Sequence, residues 1–229
     1  MKSMPSNFSA GGLLPLSFYA VSALKAAPRL LGQTLVRETE EGEIRCRIVE
    51  TESYGGVEDK GSHAYGGRRT ARTEIMFGEG GAAYIYLIYG MYHCLNVVTG
   101  PQDDPQAVLI RAVEPLTPGD EDLMRAYRGS LARRPMDLSG GPGKLCRALN
   151  IDKSLNGVLL HSGDSPLRLE AAGTPAEPPA RDDGSDIILA APRINIAYAA
   201  EYAEVPWRFY YQDNPYVSVV DKNRAFLIN

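Results

Sequence analysis

The residues whose types could do chemistry gather in one segment, "IVETESYGGVEDKGSHAYGGRRTAR", residues 48–72. Strand-like text from Ile44 to about Thr51 runs out into a carboxylate, Glu52, then an aromatic, Tyr54, and His63 follows in a loop flanked by glycines. A strand end holds such groups on rigid scaffold beside variable loops, the usual place for catalytic side chains. The plainer reading of Glu50 and Glu52 is that they face solvent, as most strand glutamates do. The loop "GGRRTAR" sets Arg68, Arg69 and Arg72 among glycines. Glycine lets a backbone approach a polyanion and arginine forks onto phosphates. A solvated loop of scattered charge competes with that reading, and Glu58, Asp59 and Glu74 nearby favour it.

A second segment, "YIYLIYGMYHCLN" (residues 84–96), is crowded with tyrosine. On a strand Tyr84, Tyr86 and Ile88 share one face, and Ile85, Leu87 and Tyr89 the other. Gly90 breaks the alternation, so Tyr89 can protrude at a hairpin tip. A protruding flat ring can replace a nucleobase that has left its stack; a core tyrosine whose hydroxyl finds a partner is the commoner alternative.

Metal and redox chemistry find no support in the spacing. His63, His93 and His161 lack metal-ligand spacing, and Cys46, Cys94 and Cys146 form no C-x-x-C pair. Cys46 and Cys94 sit in apolar strand-like text as small hydrophobes, so no zinc site, no disulfide and no cofactor are expected, and a reducing cytoplasm fits.

The elements that must position these groups are legible from periodicity. Residues 19–31 read as a helix with Leu24, Ala27, Leu30 and Leu31 on one face. A hairpin follows, with a strand to about Arg37, a Glu-Gly turn at 41–42, and the alternation of Ile44, Cys46 and Ile48. "AAYIYLIYG", "LNVVTG" and "AVLIRAVEPL" read as strands, "GDEDLMRAYRGSLA" as a helix with acids in its first turn, and "GPGKLCRALNI" as a short helix. "WRFYYQDNPYVSVVD" returns to strands around a turn. Residues 171–186, rich in proline, glycine and acid, read as an exposed loop, and about the first 12 residues as disordered. The apolar N-terminal text is interrupted by Pro15 and Ser17 and followed by Lys25 and Arg29, which favours a docked helix over a secretory signal. The whole reads as one α+β domain, a curved, largely antiparallel sheet flanked by helices.

With 229 residues and 44% apolar content, the chain can bury a core, and no run reaches the roughly 20 apolar residues of a membrane helix. A net charge of −4 argues against a nucleic-acid coat protein, so any contact with DNA or RNA needs a local basic face.

Read in order, "RIVETESY", "GGRRT", "GAAYIYLIYGMYHCLNVV", "AVLIRAVEPL", "GPGKLCRALNI" and "RFYYQDNPYVSVVD" resemble alkyladenine DNA glycosylase, the family also called 3-methyladenine or methylpurine DNA glycosylase. The resemblance runs from about Leu16 through Asp221. It implies a monomeric, monofunctional glycosylase of base excision repair that flips an alkylated or deaminated purine (3-methyladenine, 7-methylguanine, hypoxanthine, ethenoadenine) out of duplex DNA. Hydrolysis of the N-glycosidic bond then leaves an abasic site.

Carried over to this chain, Glu52 resembles the general base that activates water, and Arg111 the arginine that helps hold that water and the sugar-phosphate. Tyr54 resembles a ring stacking on the flipped base, with His63 and Tyr86 around it, Asn96 excluding guanine, and Leu109 as an apolar wall. Tyr89, with Met91 beside it, resembles the intercalating tip. Arg68, Arg69, Arg72 and Lys144 are expected on the DNA backbone, and the main-chain oxygen of Ile194 as a further water ligand. Departures from the family pattern are "GEGG" with Glu79 where relatives carry a lysine and proline, His93 at an apolar or aromatic position, and an acidic stretch before Arg111. Because no lysine matches a nucleophile position, no lyase step is expected. A non-catalytic nucleic-acid-binding module of the same fold is the alternative, against which Glu52, Tyr54, His63, Asn96 and Arg111 stand as an intact set. A hydrolase of free nucleosides has no use for a wedge tyrosine or an arginine loop.

Overall fold

The computed structural model describes residues 12–172 and 187–228. The disorder expected of the first residues and most of the 171–186 loop therefore fall outside the described residues. Two short helices, α1 (Leu16–Tyr19) and α2 (Ala23–Leu30), replace the single helix expected over 19–31. The break comes where Ser22 turns extended ahead of α2. Ala23, Ala26, Ala27 and Leu30 then form the i, i+3, i+4, i+7 stripe that packs inward, which leaves Leu24 on the exposed side rather than the buried one. The alanines let α2 lie close to the sheet, where the Thr51 hydroxyl donates to the Ala27 carbonyl at 2.9 Å.

The strands β1 (Thr34–Thr39) and β2 (Gly42–Tyr54) form the first hairpin. Thr39 stands opposite Gly42, so Glu40 and Glu41 make the turn, one residue ahead of the expected Glu-Gly. Strands β3 (Ala83–Ile88), β4 (Tyr92–Thr99) and β5 (Gln106–Pro115) make a meander. Then come the helices α3 (Pro118–Arg128), α4 (Pro135–Ser139) and α5 (Pro142–Ala148), and the short strands β6 (Leu167–Glu170), β7 (Ile188–Ala191), β8 (Arg208–Tyr211) and β9 (Phe226–Leu227). Thr117 caps α3 through a reciprocal bond with Asp120, the capping-box arrangement that the acidic first turn foreshadows.

Among the described residues nine strands join one antiparallel sheet in the order β3–β4–β5–β2–β8–β7–β9, with β1 paired to β2 and β6 to β1. The fold is α+β. The 13-residue β2 is its spine, flanked by β5 and β8 at the end that carries Glu50 and Glu52. Leu30, Met124 and Leu145 from the helices, with Leu149 just past α5, cover one sheet face, packing on Ile48, Leu95 and Ile110. A smaller cluster of Ala64, Met76, Phe77, Tyr84, Val98 and Ala107 lies under the loop that follows β2.

The last strand expected after the turn at Gln212–Asn214 does not form. Residues 216–221 are irregular because their polar groups serve buried charges: Ser218 donates its backbone N–H and its hydroxyl to Glu50, and the Val219 carbonyl accepts from Arg208. Among the described residues no helix is long and apolar enough to cross a membrane, and no cluster of three or more His, Cys, Asp or Glu side chains could hold a metal ion.

Candidate active site

The site is built around an irregularity in the spine. Along β2 and β5, Ile48 pairs with Val113, Glu50 with Ala112 and Thr51 with Ile110, so Val49 is extra on one strand and Arg111 unpaired on the other. Such bulges re-aim side chains. Here Arg111 reaches both glutamates, its Nε 3.1 Å from Glu50 and an Nη 3.3 Å from Glu52. Both carboxylates are 0% exposed, which removes the solvent-facing reading of this pair. Glu50 also accepts from Arg208 at 3.0 Å and from the Ser218 backbone N–H at 2.7 Å. A buried carboxylate is tolerated only with such partners.

Glu52 is held differently. One of its oxygens accepts from the Ile194 backbone N–H at 2.7 Å and the other from the Tyr54 hydroxyl at 2.9 Å. Burial, with the negative charge of Glu52, pushes the Tyr54 phenol well above its usual range, so it remains a neutral donor. Burial works to lower the Arg111 pKa, but Glu52 and Glu50 outweigh it and raise it, so the guanidinium stays charged. All three donors around Glu52 complement a negative charge.

The Tyr54 ring that bonds Glu52 lines a small aromatic cavity of about 40 Å³, with His63, Tyr84, Tyr86, Asn96, Ala107 and Tyr198 among others, while Glu52 and Arg111 themselves do not line it. The His63 ring meets Tyr86 edge-on at 4.6 Å, and its Nδ1 lies 2.9 Å from the Tyr84 hydroxyl. Burial first, then the Arg72 and Arg68 cations, lower the His63 pKa to about 4, so the imidazole is neutral at physiological pH. Asn96 is buried and donates its side-chain amide to the Tyr84 carbonyl at 2.9 Å. On β5 the cavity wall is Ala107; Leu109, expected there, is buried in register between Glu52 and Asn96 and does not line it.

A cavity this size holds a water molecule or so, since one water occupies roughly 30 Å³ of liquid, and not a purine. An open cleft of about 400 Å³ adjoins it, sharing Ser62, His63 and Tyr198 and adding Lys60, Tyr65, Arg68, Thr70, Arg72 and Thr73. The Arg72 guanidinium stands 4.7 Å over the Tyr86 ring, at the boundary between the two spaces.

The broken alternation in the tyrosine stretch is a left-handed pair, Tyr89 at φ 53° and Gly90 at φ 69°, closing the β3–β4 hairpin with a bond from the Met91 N–H to the Ile88 carbonyl. Glycine takes that conformation freely and tyrosine does not. The turn leaves Tyr89 75% and Met91 66% exposed at the tip. The basic residues divide. Arg68 lines the open cleft. Arg69 is bound to Glu74 at 2.6 Å and Asp103 at 2.8 Å and lies over Phe77, so its charge is already matched. Lys144 donates to the Met136 carbonyl at 3.1 Å and stands 3.6 Å from Asp137. Ile194 meets Glu52 through its backbone N–H.

Three features escaped the sequence reading. Glu50 carried no signal beyond its neighbour; Asp59 and Arg193 lie 134 residues apart and pair only once folded; Tyr198 sits in a tract without a motif. The strongest available clue was Arg193 following proline beside the residue singled out at Ile194.

Residues 17–215 match the family model described as methylpurine-DNA glycosylase (MPG). A protein of Bacillus cereus named "Putative 3-methyladenine DNA glycosylase" is 47% identical over 206 residues, which is 89% of this chain and 98% of that protein. A protein of the same name from Natranaerobius thermophilus is 46% identical over 207 residues, 90% of this chain and 98% of its own length. One from Bacillus anthracis is 47% identical over 206 residues, with 89% and 98% covered.

Proposed function

Since the chain belongs to the methylpurine-DNA glycosylase family, whose name is that of a DNA glycosylase for alkylated purines, we propose that it flips a damaged purine out of duplex DNA and hydrolyses its N-glycosidic bond. The substrates proposed are 3-methyladenine, 7-methylguanine, hypoxanthine and ethenoadenine. The observation that carries this reading is Glu52: a fully buried carboxylate at the outgoing end of β2, held by Arg111, the Ile194 N–H and the hydroxyl of Tyr54, whose ring lines an aromatic cavity.

The chemistry follows from charge. Glycosidic cleavage develops an oxocarbenium-like sugar, and a carboxylate beside it both stabilises that charge and takes the proton of the attacking water. A 3-methylated adenine is already cationic and leaves as a neutral base, while the water proton passes to Glu52. A neutral lesion leaves only when protonated, so its excision slows as pH rises. Arg111 holds the water and the sugar-phosphate. Tyr54, Tyr86 and neutral His63 enclose the base, and Asn96 screens it against guanine. Tyr89 at the exposed hairpin tip, flanked by Met91, fills the gap in the stack. Arg68, Arg72 and Lys144 contact the backbone. A monomer working in the cytoplasm without a lyase step suits this chemistry.

The test is incubation with duplexes carrying a single hypoxanthine or ethenoadenine, and with methylated DNA carrying 3-methyladenine. The expected product is an abasic site that breaks only after alkali. No site from any of the three sinks the glycosylase reading, and strand breakage without alkali sinks its monofunctional part.

A further inference from the structure

One buried ion pair ties together pieces of the site that the chain supplies from distant places. Asp59 and Arg193 are both 0% exposed as side chains and meet through two bonds, at 2.6 Å and 2.8 Å. Asp59 also accepts the backbone N–H of Gly55 at 3.0 Å and of Gly61 at 2.8 Å. It therefore fixes both ends of the loop leading from Tyr54 towards His63. Arg193 donates at 2.9 Å to the carbonyl of Ser53, the residue between Glu52 and Tyr54. Its guanidinium lies 4.7 Å from the centre of the Tyr54 ring and 5.1 Å from that of Trp207. The next backbone N–H in the chain is that of Ile194, the donor to Glu52 at 2.7 Å.

The packing leaves little slack. A Cβ added at Gly61 would meet an Arg193 Nη at 2.9 Å, and one at Gly55 would meet the Trp207 ring at 3.3 Å. Gly61 thus stands where the pair needs close approach, and Gly55 where the Trp207 ring closes on the start of the loop.

We propose that Asp59 and Arg193 are positioning residues for the reaction, holding the Tyr54 ring and the Ile194 N–H where Glu52 needs them. Neither side chain lines the cavity, so both act through others. Arginine suits the task because its planar fork binds the carboxylate at two points while its face stacks on a ring, which lysine cannot reproduce. The inference rests on the glycosylase reading of Glu52. Misplacement of a reacting group by about 1 Å costs on the order of a hundredfold in rate, so a pair that fixes three site elements should show in the chemical step.

The experiment uses the full chain and whichever lesion duplex the wild-type protein excises, under single-turnover conditions. Asp59→Asn and Arg193→Lys should slow base release about tenfold to a hundredfold, with half-saturating duplex concentration unchanged within about threefold. Arg193→Met should be slower than Arg193→Lys, because lysine keeps a charge beside Asp59. A purely structural role would lower the active fraction, read as amplitude, and leave the rate constant alone. That result, wild-type rates, or absence of a cooperative melt in all three variants overturns the proposal. If the wild-type protein itself releases no base, the glycosylase reading fails first, and the control separates that failure from failure of the pair alone.

Discussion

Acid should destabilise this fold through His63, and one substitution isolates the effect. The half-buried ring is wedged between Tyr84 and Tyr86, with burial and then the Arg72 and Arg68 cations setting its pKa at about 4. In an unfolded chain histidine titrates near 6.5. The folded value is thus depressed, and the unfolded state takes up the proton first as pH falls. The stabilisation from keeping His63 neutral is whole above about pH 6.5 and lost progressively as pH drops towards about 4. Over the full interval the linkage amounts to at most about 3 kcal/mol, and by about pH 5 to roughly 2. Because the ring retains some contact with solvent, about 1–2 kcal/mol is the expected loss. His63→Gln removes the titration yet keeps an amide that can bond the Tyr84 hydroxyl. Urea unfolding followed by the fluorescence of Trp207, the sole tryptophan, at about pH 7 and pH 5 gives the loss for each protein. The wild-type protein should lose about 1–2 kcal/mol more than the variant. Equal losses, or a larger one in the variant, would refute the neutral, buried imidazole. If a cationic lesion base is bound as proposed, it meets no like charge on His63.

Other substitutions separate the remaining roles. Glu52→Gln should still bind lesion duplex but release base ~10²–10⁴ times more slowly, and full activity would remove Glu52 from the chemistry. Tyr89→Ser at the exposed tip should weaken capture of a lesion in duplex more than in single strands; equal loss in both would rule out the wedge. Arg208→Met takes away a fully buried partner of Glu50, which should cost on the order of 3–5 kcal/mol and lower the melting temperature by roughly 10 °C. An unchanged melt would show that Arg111 and Ser218 suffice for Glu50.

Local pattern carried much of the fold into the sequence. Alternation marked β2 to β5, and the acidic first turn marked α3. It failed where tertiary demands overrode it. Leu24 faces out because three alanines, poor hydrophobes individually, make the better packing stripe against β2. Residues 216–221 look like a strand but spend their polar groups on Glu50 and Arg208, which no window of neighbouring residues discloses. At the site, the order of motifs was legible and the electrostatics were not. Glu50 and Glu52 look like ordinary strand acids until the β2–β5 bulge turns Arg111 onto them. Asp59 and Arg193 become partners only across the fold.

The net charge of −4 looks unfavourable for a DNA enzyme, but binding depends on the charges local to the cleft. Glu38, Glu43 and Glu170 are matched by Arg168 on the β1–β6 side of the sheet, with Arg45 also pairing Glu43 and Glu170, away from the cavity. Near the cavity Arg69 is cancelled by Glu74 and Asp103, while Arg68 and Arg72 line the open cleft. If Arg68, Arg72 and Lys144 supply the phosphate contacts, the logarithm of affinity should fall with the logarithm of salt at a slope of about −3, from ~0.9 per neutralised phosphate. Arg68→Ala should reduce that slope by about one, whereas Arg69→Ala should leave it unchanged because its charge is held by carboxylates. Titrating labelled duplex across salt concentrations measures both. A slope lowered as much by Arg69→Ala as by Arg68→Ala would mean that the Glu74–Arg69–Asp103 cluster opens on DNA, and that the cleft, as it stands without DNA, is not the surface that meets the backbone.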